Sequence, residues 1–401
     1  MSQGTPLFVT GTARSGTTLL CYMLNANPHV MTAVDPYLPL FRSFRNATIR
    51  EFGDRNLKAD FDPNSSFSDY YFDSDRIKTL DLIQSGVLNI SFDQSEWVDF
   101  YQTSLSRIRI ECADLAPYCE KLRGTTYREI FDSALKIIAE ARKASKRSWV
   151  GFKEVWIIEF FAPLARAYPD AQFVVIQRDP RAVIASMSAL TKRDPTQKAH
   201  ILSFLRHWRK YAAFISYYQS HPLLMGRIHI LKYEELVSDP EKSMQQLCAF
   251  LDIPFDVAML DSRNYVDHAT GNIWKGNSSF DKIMTGIETA PLKQWHDELD
   301  LLTLKTIELV CGPEMVLNAY APDTSLETHF GNSEVLEYLI KEDKEISSWR
   351  SDFRDLQQDY GFELFRRSLL AVGGDVEIDL IRRSFLFEKV YRQLSKMETG
   401  I

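Results

Sequence analysis

Residues Val9, Thr10, Gly11, Thr12, Ala13, Arg14, Ser15, Gly16, Thr17 and Thr18 limit the fold of this chain more than any other stretch. An apolar segment, Pro6 to Val9, runs into them, and a second, Leu19 to Leu24, follows and stops at Asn27 and Pro28. Strand, glycine loop and helix in that order make a phosphate cradle. Loop N–H groups and the positive end of the helix dipole converge there on an anion. The spacing from Gly11 to Gly16 is that of a P-loop, but Thr17 stands where the P-loop lysine belongs. The loop's cation is Arg14, ahead of the second glycine. That shift argues against a nucleoside triphosphatase and for a different transferred group. The competing interpretation is a Gly/Thr-rich turn that precedes a helix by chance.

The rest of the chain supports an α/β fold. Strands are predicted at Trp149 to Lys153, Phe173 to Ile176 and Ile228 to Leu231. Helices are predicted at Tyr127 to Ser145, Glu159 to Tyr168, Ala182 to Leu190, Ile201 to Ser220, Pro240 to Leu251 and Leu299 to Cys311. Strands alternating with helices imply a P-loop-like parallel sheet flanked by helices. Residues 36–125 are rich in aromatic and turn-forming residues, such as Asp60, Asp62, Pro63 and Asn64. They read as a partly helical, irregular insertion over the acceptor side. Residues 254–295 are irregular again. Beyond Pro322, charged residues with apolar positions at helical period (Val376, Leu380, Phe387, Val390, Leu394) predict a helical C-terminal extension over 323–401. The catalytic domain is then 1–322. The extension is expected to pack on that domain or to join a homo-oligomer, and to supply no reacting group.

Composition removes several functions. The 401 residues carry a net charge of −7, which gives no support to a nucleic-acid partner. No apolar run is long enough to span a bilayer. The first strand begins by Pro6, so no signal peptide precedes it, and the chain reads as cytoplasmic. Five cysteines are few, odd in number and without zinc spacing, so no metal is expected. Cys112 and Cys119 are close enough in sequence to pair, but free thiols in a reducing compartment fit better.

A second segment matters: Phe173 to Ile176, then Arg178, Asp179, Pro180, Arg181 and Ser186. A buried strand ends at Arg178, and Pro180 opens a helix where its missing N–H does no harm. Arg178 with the hydroxyl of Ser186 makes a charge-assisted phosphate site. A solvated charge cluster at a strand end is the plainer interpretation.

Together the two segments resemble the family of sulfotransferases that use 3′-phosphoadenosine 5′-phosphosulfate (PAPS), in particular its tyrosylprotein sulfotransferase and bacterial branches. The resemblance covers roughly residues 6–320. It implies that Arg14, Ser15, Gly16, Thr17 and Thr18 hold the 5′-phosphosulfate, and Arg178 and Ser186 the 3′-phosphate. By the same resemblance Arg14 faces the sulfuryl group, and Asp35 takes the acceptor's proton. Asp35 is one methylene shorter than the glutamate of the tyrosylprotein enzymes. Lys153 bridges the phosphosulfate, with Glu154 after it where aspartate or threonine is usual. Tyr233 lies near the 3′-phosphate, and Lys275, Asn277, Ser278 and Ser279 close over the nucleotide. Trp295 matches a late tryptophan of the family, with Gln294 replacing the lysine that usually precedes it.

Each position has a structural alternative: Asp35 as a turn residue, Lys153 as a snorkelling lysine, Tyr233 as a core-edge ring, Ser278 and Ser279 as turn chemistry. His29, His207, His229 and His268 are alternative bases, none in the Lys-Thr-His setting of cytosolic sulfotransferases. Sulfuryl transfer to a hydroxyl of a small molecule or glycan is the expected reaction. A small-molecule or nucleotide kinase with a degenerate P-loop and a non-catalytic nucleotide-binding protein are the alternatives. Peptide tyrosine enters as an acceptor by resemblance alone.

Overall fold

The structure is a computed structural model that describes residues 4–143, 149–197, 200–274, 276, 287, 292, 294–322, 332–345 and 355–399. Two compact units emerge. The first comprises Met1–Ser65, Lys78–Gln177 and Tyr218–Thr289; the second comprises Ser66–Ile77, Arg178–Tyr217 and Ala290–Ile401.

The first unit is built on a five-stranded sheet: β1 (Thr5–Gly11), β2 (Val30–Val34), β3 (Trp149–Lys153), β4 (Gln172–Gln177) and β5 (Ile228–Lys232). Its order is β2-β3-β1-β4-β5, and every pairing is parallel. Parallel strands are covered on both faces, which is why these read as continuous apolar runs. Leu7, Phe8, Val9 and Phe173 through Ile176 have no solvent exposure. The Phe8 ring meets Phe152 at 5.3 Å and Phe173 at 5.5 Å, stapling three adjacent strands.

The chain leaves β1 toward β2 and leaves β4 toward β5, on the other side. The topological switch therefore lies between the carboxyl ends of β1 and β4, where sheets of this type bind ligands. Gly11 registers with Ile176 and Val9 with Lys153, while Val34 also registers with Lys153. The glycine loop, the residue after β2 and the last residue of β3 thus share one edge of the sheet. The turn at Asn27 delivers β2 to that register: His29 N–H donates to Asn27 Oδ1 at 2.9 Å, and Val30 N–H to the Asn27 carbonyl at 3.2 Å.

Residues 36–125 are more regular than expected. They fold into helices Leu38–Phe52, Arg55–Asp60, Ser74–Ser85 and Trp97–Glu111, followed by a 3₁₀ run, Ala113–Lys121. Asp62 does sit in a turn, as its sequence suggested, accepting from Asn64 N–H at 2.8 Å, while aspartates elsewhere in the stretch cap helices. Asp54 accepts from Leu57 N–H at 2.8 Å, and Asp93 accepts from Ser95 N–H at 3.0 Å.

The second unit is helical: Pro180–Arg193, Leu301–Leu317, Asn332–Glu345, Leu356–Val372, Ile378–Phe385 and Glu388–Thr399, with most of Ile201–Tyr218. The helix predicted to end at Cys311 runs on through Pro313 to Leu317. Its core includes buried charges: Arg206 Nε reaches Glu363 at 2.6 Å, and Arg209 pairs with the other oxygen of the same carboxylate. Arg366 pairs with Glu314. Burial alone would raise the Glu363 carboxyl; Arg209 and Arg206 overcome it and hold the group down, at about 2. All five cysteines are buried and free, so Cys112 and Cys119 are not bridged. No described helix is long and apolar enough to cross a membrane.

Candidate active site

The glycine loop closes β1 and opens helix Thr17–Asn25. Both glycines are sterically required. A Cβ on Gly11 would fall 2.5 Å from the Ile176 carbonyl oxygen, and one on Gly16 would fall 2.4 Å from Cδ2 of Tyr233. Gly16 also has a φ of 85°, and Arg14 adopts the left-handed region at 68°. Ser15 N–H bonds the Thr12 carbonyl at 3.2 Å, and the two hydroxyls of Thr12 and Ser15 bond each other. The helical ladder starts with Leu20 N–H on the Gly16 carbonyl at 3.0 Å. Helix geometry therefore leaves the N–H groups of Thr17, Thr18 and Leu19 facing outward at the positive end of the dipole. This cradle has the shape and donor set that a phosphate or phosphosulfate group requires.

Asp35 and Lys153 meet beside it. Asp35 N–H donates to the Lys153 carbonyl at 2.8 Å, continuing the β2–β3 register, and Lys153 Nζ donates to Asp35 Oδ2. Asp35 has a φ of 55°, a conformation a non-glycine residue adopts at a cost. The Arg107 Nε of helix Trp97–Glu111 clamps that turn by donating to the Asp35 carbonyl at 2.7 Å. Lys153 is 2% exposed and the Asp35 side chain 16%, so the carboxylate is the member of the pair open to a ligand. Burial pushes the Lys153 ammonium down, but the adjoining Asp35 carboxylate, with a smaller effect from Cys21, makes the net direction upward. The lysine stays charged.

Glu154 lies just behind, fully buried. Its Oε1 accepts from Tyr37 N–H, and its Oε2 faces Arg107 Nη2 at 3.8 Å. Burial raises this carboxyl, to about 8, against the opposing pull of Arg107. Glu111, on the same helix as Arg107 and 3.7 Å from it, is also raised, by burial and by Asp35. Arg107 and Glu111 were not foreseen; their only trace in the sequence is an Arg/Glu pair four residues apart inside a stretch that looked irregular. Cys21 is no competing nucleophile, since burial pushes its thiol up to about 12.

Tyr233 follows β5, and its ring covers Gly16 of the loop. Arg178 and Ser186 belong to the second unit. Arg178 is buried, its carbonyl accepting from Trp208 Nε1 at 2.7 Å, and Ser186 is half-buried on helix Pro180–Arg193. Arg181 binds Asp179 at 2.7 Å and Glu308 at 3.1 Å, and lies 4.2 Å from the Trp295 ring centre. Trp295 therefore packs on the Arg-Asp-Pro-Arg segment. Lys275, Asn277, Ser278 and Ser279 lie outside the described residues. Of the alternative bases, His229 is pushed down by burial, and His268 sits 3.4 Å from Asp114 Oδ2. Among the described residues, no cluster of three or more His, Cys, Asp or Glu groups is placed to hold a metal ion.

A family model described as "Sulfotransferase family" matches residues 6–257. Protein-tyrosine sulfotransferase 1 of Danio rerio is 26% identical over 204 residues, 48% of this chain and 55% of the relative. A putative protein-tyrosine sulfotransferase of Caenorhabditis elegans is 24% identical over 208 residues, 50% of this chain and 76% of the relative. The chain thus spans little more than half the length of the Danio rerio protein. Among solved structures, the sulfotransferase domain from the curacin biosynthetic pathway is 18% identical, with 80% of this chain and all of that one covered, at a TM-score of 0.46.

Proposed function

Because this chain belongs to the sulfotransferase family, we propose that it transfers the sulfuryl group of PAPS to an acceptor hydroxyl, with Asp35 as the base. The observation that carries the proposal is the Lys153–Asp35 ion pair at the sheet edge where the glycine loop ends. One cation and one carboxylate, held together there, are what in-line sulfuryl transfer needs.

PAPS, when bound, supplies a sulfuryl group already attached to a good leaving group, a phosphate oxygen. Transfer forms the bond from sulfur to the acceptor oxygen and breaks that to the bridging phosphate oxygen, which keeps the electron pair. Lys153, Arg14 and the N–H groups of Thr17 and Thr18 stabilise the charge growing on that oxygen. Asp35 takes the acceptor's proton. Glu154, which has no exposure, cannot reach an acceptor. We assign Arg178 and Ser186 to the 3′-phosphate, and Tyr233 to the wall of the 5′ cradle. Lys275, Asn277, Ser278 and Ser279 keep their assignment to the nucleotide from family resemblance. A hydroxyl of a small molecule or glycan is the acceptor class we assign; the relatives are named for protein tyrosine.

The test is thermal stabilisation by adenosine 3′,5′-bisphosphate without magnesium. Saturation to a hundredfold the dissociation constant adds about 2.7 kcal/mol. Stabilisation by magnesium-ATP with none by the bisphosphate would replace this reading with a kinase.

A further inference from the structure

Helix Trp97–Glu111 does more than hold Asp35. Its first turns form one wall of an open bay of about 660 Å³ in the first unit, lined by Gln94, Trp97, Tyr101, Glu120, Arg123 and Glu129 among others. Trp97 and Tyr101 are four residues apart, so they share one helix face, and both are half-buried. Trp97 is braced from behind by Phe92 at 5.4 Å and Phe100 at 5.6 Å. The opposite rim is fixed by backbone bonds, Phe92 N–H to the Thr125 carbonyl at 2.8 Å and Tyr127 N–H to the Ile90 carbonyl at 3.1 Å. Glu129 Oε2 is tied to Thr125 N–H at 2.7 Å and to its hydroxyl at 2.8 Å.

Within this frame Glu129 and Gln94 are committed, but four other polar groups are not. Among the described residues, Trp97 Nε1, the Tyr101 hydroxyl, the Glu120 carboxylate and the Arg123 guanidinium have no hydrogen-bond or ion-pair partner. Two flat rings with carboxylate acceptors and guanidinium donors around them suit a ligand with apolar faces and a dense rim of hydroxyls. Two carboxylates against one guanidinium disfavour a polyanion. From Trp97 to Arg107 the helix advances ten residues, ~15 Å along its axis. A ligand seated on Trp97 therefore needs that order of length to present a group near Asp35.

We propose that this bay is a subsite for the non-reacting part of a neutral oligosaccharide acceptor. The inference rests on the sulfotransferase reading for its purpose, but not for the binding itself. The experiment measures binding of chito-, cello-, xylo- and maltohexaose by isothermal titration calorimetry. The proteins compared are the full chain and its Trp97→Ala, Trp97→Phe and Glu120→Gln variants. Folding is checked by the melt and by stabilisation with adenosine 3′,5′-bisphosphate. At least one hexasaccharide should bind, with a loss of about tenfold in Trp97→Ala and partial retention in Trp97→Phe, where a ring remains. Monosaccharides should bind far more weakly. No binding by any hexasaccharide, equal binding by Trp97→Ala, or binding at this bay of a tyrosine peptide in place of the sugars overturns the subsite. Saccharide binding that depends on Trp97, in a protein that the bisphosphate does not stabilise, sustains the subsite and removes the sulfotransferase reading.

Discussion

Glu154→Gln should flatten the stability of this protein against pH in a window set by one buried carboxyl. Burial lifts Glu154 from 4.5 to about 8, with Arg107 opposing and Asp35 adding to the rise. Between those values the group is ionised in the unfolded chain and protonated in the folded one. The unfolded state then binds fewer protons, so stability falls as pH rises. The contribution is fully present below pH 4.5 and is lost by about 8. At about 1.4 kcal/mol per pH unit, the window sets an upper limit of roughly 5 kcal/mol. Glutamine keeps the side-chain shape and an acceptor for Tyr37 N–H, and it does not titrate. Melting temperatures of both proteins would be measured at pH 5, 6, 7 and 8. The wild-type curve should fall relative to the variant across that series, and the gap should stop changing above pH 8. Parallel curves would refute the reasoning, because they would mean that Glu154 is ionised in the fold at every pH, neutralised by Arg107.

Asp35→Asn should cut PAPS-saturated turnover by roughly 10²–10⁴ while bisphosphate stabilisation is retained; full activity would send the search for the base to Glu111 or to the histidines. Arg178→Ala should raise the Michaelis constant for PAPS and leave that for the acceptor alone, by the roughly 1.5–3 kcal/mol of a charged hydrogen bond. Glu363→Gln removes the carboxylate shared by Arg206 and Arg209 and should destabilise the second unit by roughly 3–5 kcal/mol, read from denaturant melts. Because Glu363 is held down, at about 2, its contribution is present above pH 4.5 and lost on acidification toward 2, so the variant should lack that acid limb.

The sequence made the sheet legible because β1, β3, β4 and β5 are short apolar runs bounded by glycine, proline or charge, and a parallel sheet demands such runs. It made Asp35 and Lys153 legible only through resemblance. That they meet depends on the register of Val34 with Lys153, which no local pattern reports. The helices within residues 36–125 were hard to delimit because aspartate is as good at capping a helix as at turning a loop. Arg107 was invisible for the same reason: without a helix there, nothing marked it as a side chain that reaches 72 positions back to clamp Asp35. The buried Arg206–Glu363–Arg209 group escaped notice because charge at helical period reads as a solvated face, and here it is core.

The ion pair at the sheet edge also bears on the order of events in the proposed reaction. In the protein without its donor, Lys153 and Asp35 neutralise each other, and Lys153, 2% exposed, has no bulk solvent to compensate it if Asp35 is lost. A carboxylate so engaged has its Oδ2 committed to Lys153 and not to an acceptor hydroxyl. An anion arriving in the loop changes that balance. It offers Lys153 a second negative partner, so the lysine no longer depends on Asp35 alone and Asp35 Oδ2 is released to accept from an acceptor hydroxyl. Arg107 holds the Asp35 turn from behind throughout, through the carbonyl rather than the carboxylate, so the carboxylate changes partner without losing its position. On this reasoning the acceptor hydroxyl is activated only when the sulfuryl donor is already in place.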